Sequence, residues 1–312
     1  MNICSFVPGA TEVIAALGLA DHLVGISHEC DYPPSIRRTP VLIEPVLGQT
    51  GLSSSVIDEQ MRALLTAGQP LYRLNEPAFL AAKPDLILTQ DLCHVCAVTP
   101  DHLTRAIRSL AAPPRVVTLN PTTLEDTILD VERIAKAAEA LAQGQALTCA
   151  LRSRLDAVHA RATAMPPVRV ASIEWLDPLY LAGHWIPEMV RLAGGSDVLG
   201  QPGQSSRRTT WAELESARPD VLLVMPCGYS VDRTLHELAT PGDTQRHWLR
   251  ALQRWPTTYA VDANAYFSRP GPRLIDGVEL LDALLHDGPS SAIDRTNAVR
   301  LTADALAAGD AP

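Results

Sequence analysis

Two thiols, an imidazole and a carboxylate occur within six residues, in the stretch Asp91-Leu92-Cys93-His94-Val95-Cys96. This stretch closely follows residues 84–88, a short apolar run that is typical of a buried strand. In open α/β sheets ligands bind at the carboxyl ends of the strands. We therefore expect Asp91, Cys93, His94 and Cys96 to lie at a binding site.

The same side chains allow two other kinds of chemistry. Cys93 and Cys96, with Cys30 and His28, have the residue types that hold zinc in a tetrahedral site or ligate an iron–sulfur cluster. A Cys-x-x-Cys motif near a strand end also occurs in thiol redox enzymes. Redox pairs usually begin a helix, however, and here Pro100 separates the motif from the next predicted helix. No Gly-rich phosphate loop and no Gly-x-Ser-x-Gly motif occurs, so we predict a protein that is not an enzyme.

Composition narrows the class of protein further. The 312 residues are 46% hydrophobic and 20% charged, which is typical of well-buried globular domains. The net charge of −9, without a block of Lys or Arg, argues against a nucleic-acid partner. No apolar run is long enough to predict a membrane span, and residues 1–8 lack the features of a signal peptide. Six cysteines are too few for a disulfide scaffold and fit reduced thiols. We therefore expect a cytoplasmic protein, or a periplasmic one only if a leader was removed.

Strand-like and helix-like segments alternate in two parts of the chain, which predicts parallel sheets. In the first part we predict strands over 2–7, 22–26, 84–88 and 115–119, and helices over 10–17, 55–67 and 100–110. In the second part we predict strands over 168–173, 220–224 and 258–261, and helices over 184–193, 231–238, 245–255 and 273–285. Between them, residues 122–164 have helical periodicity, with Thr122 or Thr123 as the N-cap and Gly144 dividing two helices.

An internal repeat relates the two parts. Residues 80–88 end a helix with a basic-Pro-Asp step before a strand, and residues 214–223 do the same. A helix-ending Leu-Gly or Gly-Gly turn also recurs in residues 16–25 and 192–200. The predicted fold is α/β, with two Rossmann-like lobes that have parallel central sheets, a long helical connector, and a ligand cleft between the lobes. The predicted boundaries are 1–121 for the first lobe, 122–165 for the connector, 166–288 for the second lobe, and 289–312 for a frayed tail.

The opening Pro8-Gly9-Ala10-Thr11-Glu12, the Leu-Gly turn that follows and both Pro-Asp strands resemble one known family. They are similar to the helix-linked substrate-binding proteins of ABC importers for cobalamin, haem and iron–siderophores. Residues 27–33, 90–98, 182–185 and 266–272 resemble a cobalamin-binding subgroup that lacks signal peptides. The resemblance implies binding of cobalamin or a related corrinoid between the lobes, in cobalamin uptake or handling. It also implies docking to an ABC permease through one glutamate in each lobe, for which Glu76 and Glu213 lie near the matching places.

A corrinoid is a flat, largely apolar disc edged with amides, so its site calls for aromatic walls and scattered hydrogen-bond partners. Neutral imidazoles such as those of His28, His94 and His184 are candidate cobalt ligands. Each aromatic or histidine also has a plain packing explanation, and Arg273 has the alternative explanation that it begins the last helix. The predicted ligand-binding residues are the polar and aromatic residues at the strand ends: His28, Glu29, Cys30, Tyr32, Asp91, Cys93, His94, Cys96, Glu174, Trp175, His184, Trp185, Tyr229, Asn264, Tyr266, Phe267 and Arg269.

Overall fold

The computed structural model describes residues 1–48, 51–90, 100–255, 257–286, 293–303 and 306. Its first sheet is mainly parallel and has the strand order β4-β3-β2-β1-β5-β6, in which only the β3–β4 pair is antiparallel. The strands are β1 (Ile3–Ser5), β2 (Leu23–Ser27), β3 (Val41–Pro45), β4 (Tyr72–Leu74), β5 (Leu86–Gln90) and β6 (Arg115–Leu119).

The helices of this lobe are α1 (Pro8–Ala16), α2 (Ser54–Thr66), α3 (Glu76–Ala82) and α4 (Pro100–Arg108). Pro8 is the first residue of α1, where its missing N–H costs nothing. Val13 and Ile14 are buried in the core, and Gly18 takes a left-handed conformation just after the helix. The helix thus begins two residues earlier than the sequence predicts.

Two connector helices follow, α5 (Leu124–Ala137) and α6 (Leu141–Ala162). Thr123 caps α5 through a capping box, because its hydroxyl accepts from the Asp126 N–H at 3.1 Å while the Asp126 carboxylate accepts from the Thr123 N–H at 2.9 Å. The prediction that Gly144 divides the helices is wrong. Gly144 lies inside α6, where a Cβ would be 2.3 Å from the Cβ of Ala135, so its small size allows α6 to pack closely on α5.

The second sheet has the order β10-β8-β7-β11-β12-β13, with β9 also paired to β7. Its pairs β7–β9, β7–β11 and β11–β12 are parallel, whereas β8, β10 and β13 pair antiparallel with their neighbours. The strands are β7 (Val168–Leu176), β8 (Leu179–Leu181), β9 (Gly195–Asp197), β10 (Arg207–Arg208), β11 (Val221–Val224), β12 (Thr258–Val261) and β13 (Ala298–Arg300). The expectation that the tail after Gly288 is frayed is wrong for β13, which pairs with β12 along its whole length.

The helices of the second lobe are α7 (Ile186–Leu192), α8 (Trp211–Ala217), α9 (Val231–Ala239), α10 (Asp243–Arg254), α11 (Ala263–Tyr266) and α12 (Arg273–Leu285). Two arginines of α6 bind carboxylates of α12: Arg154 contacts Glu279 at 2.6 Å and Arg161 contacts Asp282 at 2.9 Å. One hydrophobic core runs from Ile3 through Ile128 to Leu281, so the connector joins the interiors of both lobes. The prediction of two α/β lobes joined by a helical connector is confirmed.

The repeat has a structural basis in both lobes. α3 and α8 each have seven residues and end at a basic residue in the left-handed conformation, Lys83 at φ 46° and Arg218 at φ 49°. The aspartate that follows then binds a backbone N–H beside the first strand of its lobe. Asp85 accepts from Asn2 at 2.7 Å, and Asp220 accepts from Arg169 at 3.2 Å.

Among the described residues, no helix is both long and apolar enough to cross a membrane.

Candidate functional site

Charged side chains from both lobes meet where loops at the carboxyl ends of β1 and β2 face the loop after β12. We call this group the interlobe ion cluster. The first lobe supplies carboxylates from α1 and the loop after β2, and the second lobe supplies guanidinium groups and one amide. Its members are Glu12, Glu29, Asp31, Asn264, Arg269 and Arg273.

Glu12 and Arg273 form a buried, doubly hydrogen-bonded pair within it. The guanidinium group donates two hydrogen bonds to the carboxylate, at 2.6 and 3.0 Å, and the two side chains are 3% and 14% exposed. The guanidinium also lies 4.1 Å from the centre of the Tyr32 ring, a cation–π contact that leaves Tyr32 itself exposed. Arg273 therefore both begins α12 and joins α12 to α1.

Arg269 is the centre of the cluster. Its guanidinium donates to both carboxylate oxygens of Asp31 and, at 2.6 Å, to the side-chain oxygen of Asn264. Glu29 lies 3.7 Å away and also contacts His28 at 3.0 Å. The Arg269 side chain is only 6% exposed, whereas those of Asp31 and Glu29 are 38% and 46% exposed. Asp31 and Glu29 thus lie on the exposed side of the cluster, and the two guanidinium groups lie behind them together with the Glu12 carboxylate.

The two backbones touch beside this cluster. A Cβ on Gly9 would lie 2.0 Å from the carbonyl oxygen of Pro270, and a Cβ on Gly271 would lie 2.9 Å from the Cα of Gly9. Only glycine allows this approach, since any side chain on either residue would meet main-chain atoms. The lobes are therefore in direct contact at Gly9 and Gly271.

Burial and pairing shift the carboxyl groups of the cluster in opposite directions. Burial raises the pKa of Glu12, although the hydrogen bonds and charge of Arg273 oppose this. For Asp31, burial acts in the same direction, but the hydrogen bonds and charge of Arg269, with the amide of Asn264, outweigh it and hold the pKa below its usual range. The hydrogen bond from His28 is the main cause that lowers the pKa of Glu29.

We expect Asp31 to make the protein acid-sensitive. Because the folded-state pKa of Asp31 is lowered, its contribution to stability is present above the unfolded pKa, near 3.8, and is lost as the pH falls through the folded-state pKa. The urea midpoint should therefore fall between pH 5 and pH 3 by more in the wild type than in Asp31→Asn. The difference between the two proteins isolates Asp31, since Glu12 and Glu29 titrate in both. Equal losses would show that Asp31 has no such role.

A second contact joins the lobes away from the ion cluster. The carboxylate of Glu237 in α9 accepts hydrogen bonds from the backbone N–H of Ser54, at 2.8 Å, and from its hydroxyl. The indole N–H of Trp175 donates to the Ser54 carbonyl at 3.1 Å. The Trp175 ring meets the ring of Tyr229 edge-on at 5.5 Å. Two predicted aromatic residues thus lie under the first turn of α2.

The other predicted residues of the second lobe lie within that lobe. Trp185 and Phe267 are buried, and the indole N–H of Trp185 donates to the Phe267 carbonyl at 2.8 Å. The backbone of His184 is left-handed at φ 51°, its ring lies 5.6 Å from that of Trp185 at a tilt of 37°, and burial lowers its pKa. Glu174 accepts from Ser206 at 2.6 Å. Tyr266 ends α11 and is half-buried. Their ligand roles stay predictions.

The residues of the metal alternative are only partly described. Asp91, Cys93, His94 and Cys96 lie outside the described residues. Cys30 is buried, its thiol lies 3.0 Å from the Thr11 hydroxyl, and burial raises its pKa to about 11. Within the described part of the chain, no group of three or more His, Cys, Asp or Glu side chains is arranged to hold a metal ion. A zinc or iron–sulfur site built on Cys93 and Cys96, or a thiol redox site there, stays a prediction.

Four residues of these contacts were missed as site residues. Glu12 has a sequence signal, because it is an isolated acid in the buried face of α1 beside Val13 and Ile14. Ser54 and Glu237 have none, since both stand among ordinary polar residues of surface helices. Arg273 also has an ordinary explanation as the start of α12, and its partner Glu12 is 261 positions away, so no local pattern links the two.

Two α/β lobes with a helical connector and polar loops facing each other define a binding protein of the two-lobed type. The chain belongs to the periplasmic binding protein family, whose model matches residues 3–240. It is 24% identical over 283 residues to the vitamin B12-binding protein of Vibrio cholerae, covering 89% of this chain and 86% of that protein. The predicted kinship to the substrate-binding proteins of ABC importers is confirmed, and with it a binding rather than an enzymatic role at the level of the family.

Solved structures with the same fold bind different ligands. The periplasmic vitamin B12-binding protein of Vibrio cholerae aligns with a TM-score of 0.64 and 22% identity, covering 91% of this chain and 96% of that one. A periplasmic haem-binding protein from Roseiflexus sp. RS-1 aligns equally well, with a TM-score of 0.64, 22% identity, and 92% and 98% coverage. These relatives are described as periplasmic, which does not support the expectation of a cytoplasmic protein.

Proposed function

We propose that the chain binds cobalamin or a related corrinoid between its lobes, as the substrate-binding component of cobalamin uptake or handling. The observation that carries the proposal is the similarity to vitamin B12-binding proteins over 89% of the chain. The similarity includes both lobes, so it extends to both sides of the proposed cleft. Since the family is periplasmic, we further propose that the protein works outside the cytoplasm.

The charges of the interlobe ion cluster favour a corrinoid over haem. Haem carries two propionate groups, which call for free cationic partners. Arg269 and Arg273 are already bound to Asp31 and Glu12, and the more exposed members of the cluster are carboxylates. A ligand edged with neutral amides can hydrogen-bond to such carboxylates, whereas propionates would be repelled by them.

Several predicted ligand contacts fit this proposal. Tyr32 is 44% exposed and offers an aromatic ring at the edge of the ion cluster. Asn264 offers an amide, and His28 is a half-buried imidazole 5.8 Å from the ring of Tyr72. We propose these three residues as contacts of the corrinoid, with His28, His94 or His184 as the candidate axial ligand.

For the partner, we propose an ABC permease that contacts Glu76 and Glu213. Both are in the first turn of a short helix, Glu76 as the first residue of α3 and Glu213 as the third residue of α8. When the seven residues of α3 are paired in order with the seven of α8, Glu213 corresponds to Ala78 rather than to Glu76. Glu213 is also bound by Arg207 at 2.6 Å, and a permease arginine would have to displace that side chain.

The test is a titration of the purified protein with hydroxocobalamin, and in parallel with haem, followed by the visible spectrum. We expect a saturable spectral change and retained pigment with hydroxocobalamin, and weaker binding of haem. Tyr32→Ala should weaken corrinoid binding by about two- to tenfold, because an aromatic contact contributes about 0.5–1.5 kcal/mol. Leu141→Ala, an exposed apolar residue on α6, serves as the control and should bind as the wild type does.

No spectral change and no retained pigment with the wild type would refute the proposal. Tighter binding of haem than of hydroxocobalamin would replace the corrinoid with haem. Elemental analysis of the purified protein tests the metal alternative, which requires stoichiometric zinc or iron.

A further inference from the structure

Helix α2 lies between β3 and β4 in the sequence, yet it contacts the second lobe. Among the elements that the structure describes, it packs most closely on β7. Only Ser54 and Ile57 of α2 are buried, so the helix has little core of its own. The position of α2 is therefore set mainly by its contact with the second lobe.

The contact is made by the first turn of α2. The N–H of Ser54 is one of the helix-starting donors that no intrahelical carbonyl can satisfy. The carboxylate of Glu237 accepts it at 2.8 Å and also lies at the positive end of the helix dipole. The Trp175 indole binds the carbonyl of the same residue at 3.1 Å. Ser54 is thus held at its N–H, its hydroxyl and its carbonyl.

The second lobe holds its side of the contact in place. The hydroxyl of Tyr229 donates to the other oxygen of Glu237 at 3.0 Å, and the guanidinium of Arg233 lies 3.8 Å from the centre of the Tyr229 ring. One turn further along α2, Asp58 lies 3.4 Å from Arg208. The residues that bind Ser54 are thus held in place within the second lobe, and α2 is the part of the contact that can move away.

The contact at the interlobe ion cluster and the contact at α2 differ in the free energy that their separation would cost. Parting Glu12 from Arg273 would leave two charges in a site that is almost fully buried, which is strongly unfavourable. Parting Ser54 from Glu237 separates a neutral N–H and a hydroxyl from one half-buried carboxylate, and although Ser54 is buried in the closed state, the departure of α2 admits water that replaces the hydrogen bonds at a smaller net cost. The contact at α2 should therefore open first, while the ion cluster and the Gly9–Gly271 contact stay closed.

We propose that α2 is a strap across the mouth of the interlobe cleft, and that release of Ser54 from Glu237 opens the cleft. In the closed state the strap covers Trp175 and Tyr229. In the open state α2 remains attached only to its own lobe through the chain on either side. The role of the strap in ligand entry and exit rests on the proposed function, but the contact itself does not depend on any ligand.

Amide hydrogen exchange of the ligand-free protein tests the contact directly. In Glu237→Ala, the amides of residues 54–66 should exchange about tenfold faster than in the wild type, while those of β1, β5, β7 and β11 should not change. Trp175→Phe keeps the ring and removes the indole donor, and should give a smaller increase in the same residues. Glu59→Ala, an exposed residue of α2, is the matched control and should leave exchange unaltered.

The role of the strap is tested by the rate at which bound, labelled hydroxocobalamin is released after mixing with an excess of unlabelled hydroxocobalamin. We expect Glu237→Ala to release the ligand about tenfold faster than the wild type and Glu59→Ala to release it at the wild-type rate. Unchanged exchange of residues 54–66 in Glu237→Ala would overturn the contact, and faster exchange with an unchanged release rate would overturn the strap. If the wild type binds no corrinoid, the proposed function fails while the exchange result still decides the contact.

Discussion

Replacing Glu12 with alanine is expected to lower the free energy of unfolding by about 3–5 kcal/mol, the cost of removing one member of a buried ion pair. Arg273 is 14% exposed and would lose the carboxylate that accepts two of its hydrogen bonds. Asp31, another carboxylate of the cluster whose charge acts on Arg273, is already bound by Arg269. Chemical denaturation of the wild type and the variant measures the loss.

An exposed ion pair provides the matched control. Glu132 contacts Arg152 at 3.3 Å, and both side chains are at least 40% exposed. Glu132→Ala should cost less than about 1 kcal/mol, because exposed pairs contribute little. Adding Arg273→Ala to Glu12→Ala should restore part of the stability, since it removes the unpaired charge. A loss below about 1 kcal/mol for Glu12→Ala alone would contradict the assignment of a buried pair.

Replacing Gly9 with alanine is expected to cost about 1–3 kcal/mol or more, the usual cost of overpacking a tight contact. The added Cβ would lie 2.0 Å from the carbonyl oxygen of Pro270, and because that atom belongs to the main chain it cannot turn aside. The lobes would have to separate at this point. Corrinoid affinity should fall with stability, by at least tenfold, since the facing loops would no longer be in register.

Gly48→Ala is the control for this change. A Cβ on Gly48 would have no neighbour within 4 Å, so the substitution should leave both the unfolding midpoint and ligand binding as they are. Unfolding of Gly9→Ala at the wild-type midpoint would show that the backbones of Gly9 and Pro270 are not in contact in solution.

The sequence predicts the central part of each sheet well. The strands near residues 115–119 and 258–261 and the helix over 273–285 lie where periodicity and turn residues place them. The hairpin of β7 with β8 and the short strands β9, β10 and β13 were missed. Strands of two or three residues carry no readable alternation, and neighbouring strands decide whether they pair.

The candidate site is less predictable than the fold. Its loops follow from the rule that strand ends bind ligands, and that rule predicts Asn264 and Arg269, whose ligand roles stay predictions. The partners of the charged residues were not, because Glu12 and Arg273 come together only when two lobes dock. The prediction about Gly144 was wrong for a related reason. A glycine in a helical pattern indicates either the end of a helix or the close approach of a second helix, and only the packing against Ala135 distinguishes the two.

β13 has a consequence for the solution behaviour of the protein. Strand β12 would be the edge of the second sheet if Ala298–Arg300 did not pair with it antiparallel. An uncovered edge offers a row of unpaired N–H and carbonyl groups to any other extended chain, and so promotes aggregation. In the described part of the chain β13 takes the place of β12 as the edge strand, and because it has only three residues it offers a short row of such groups to another chain.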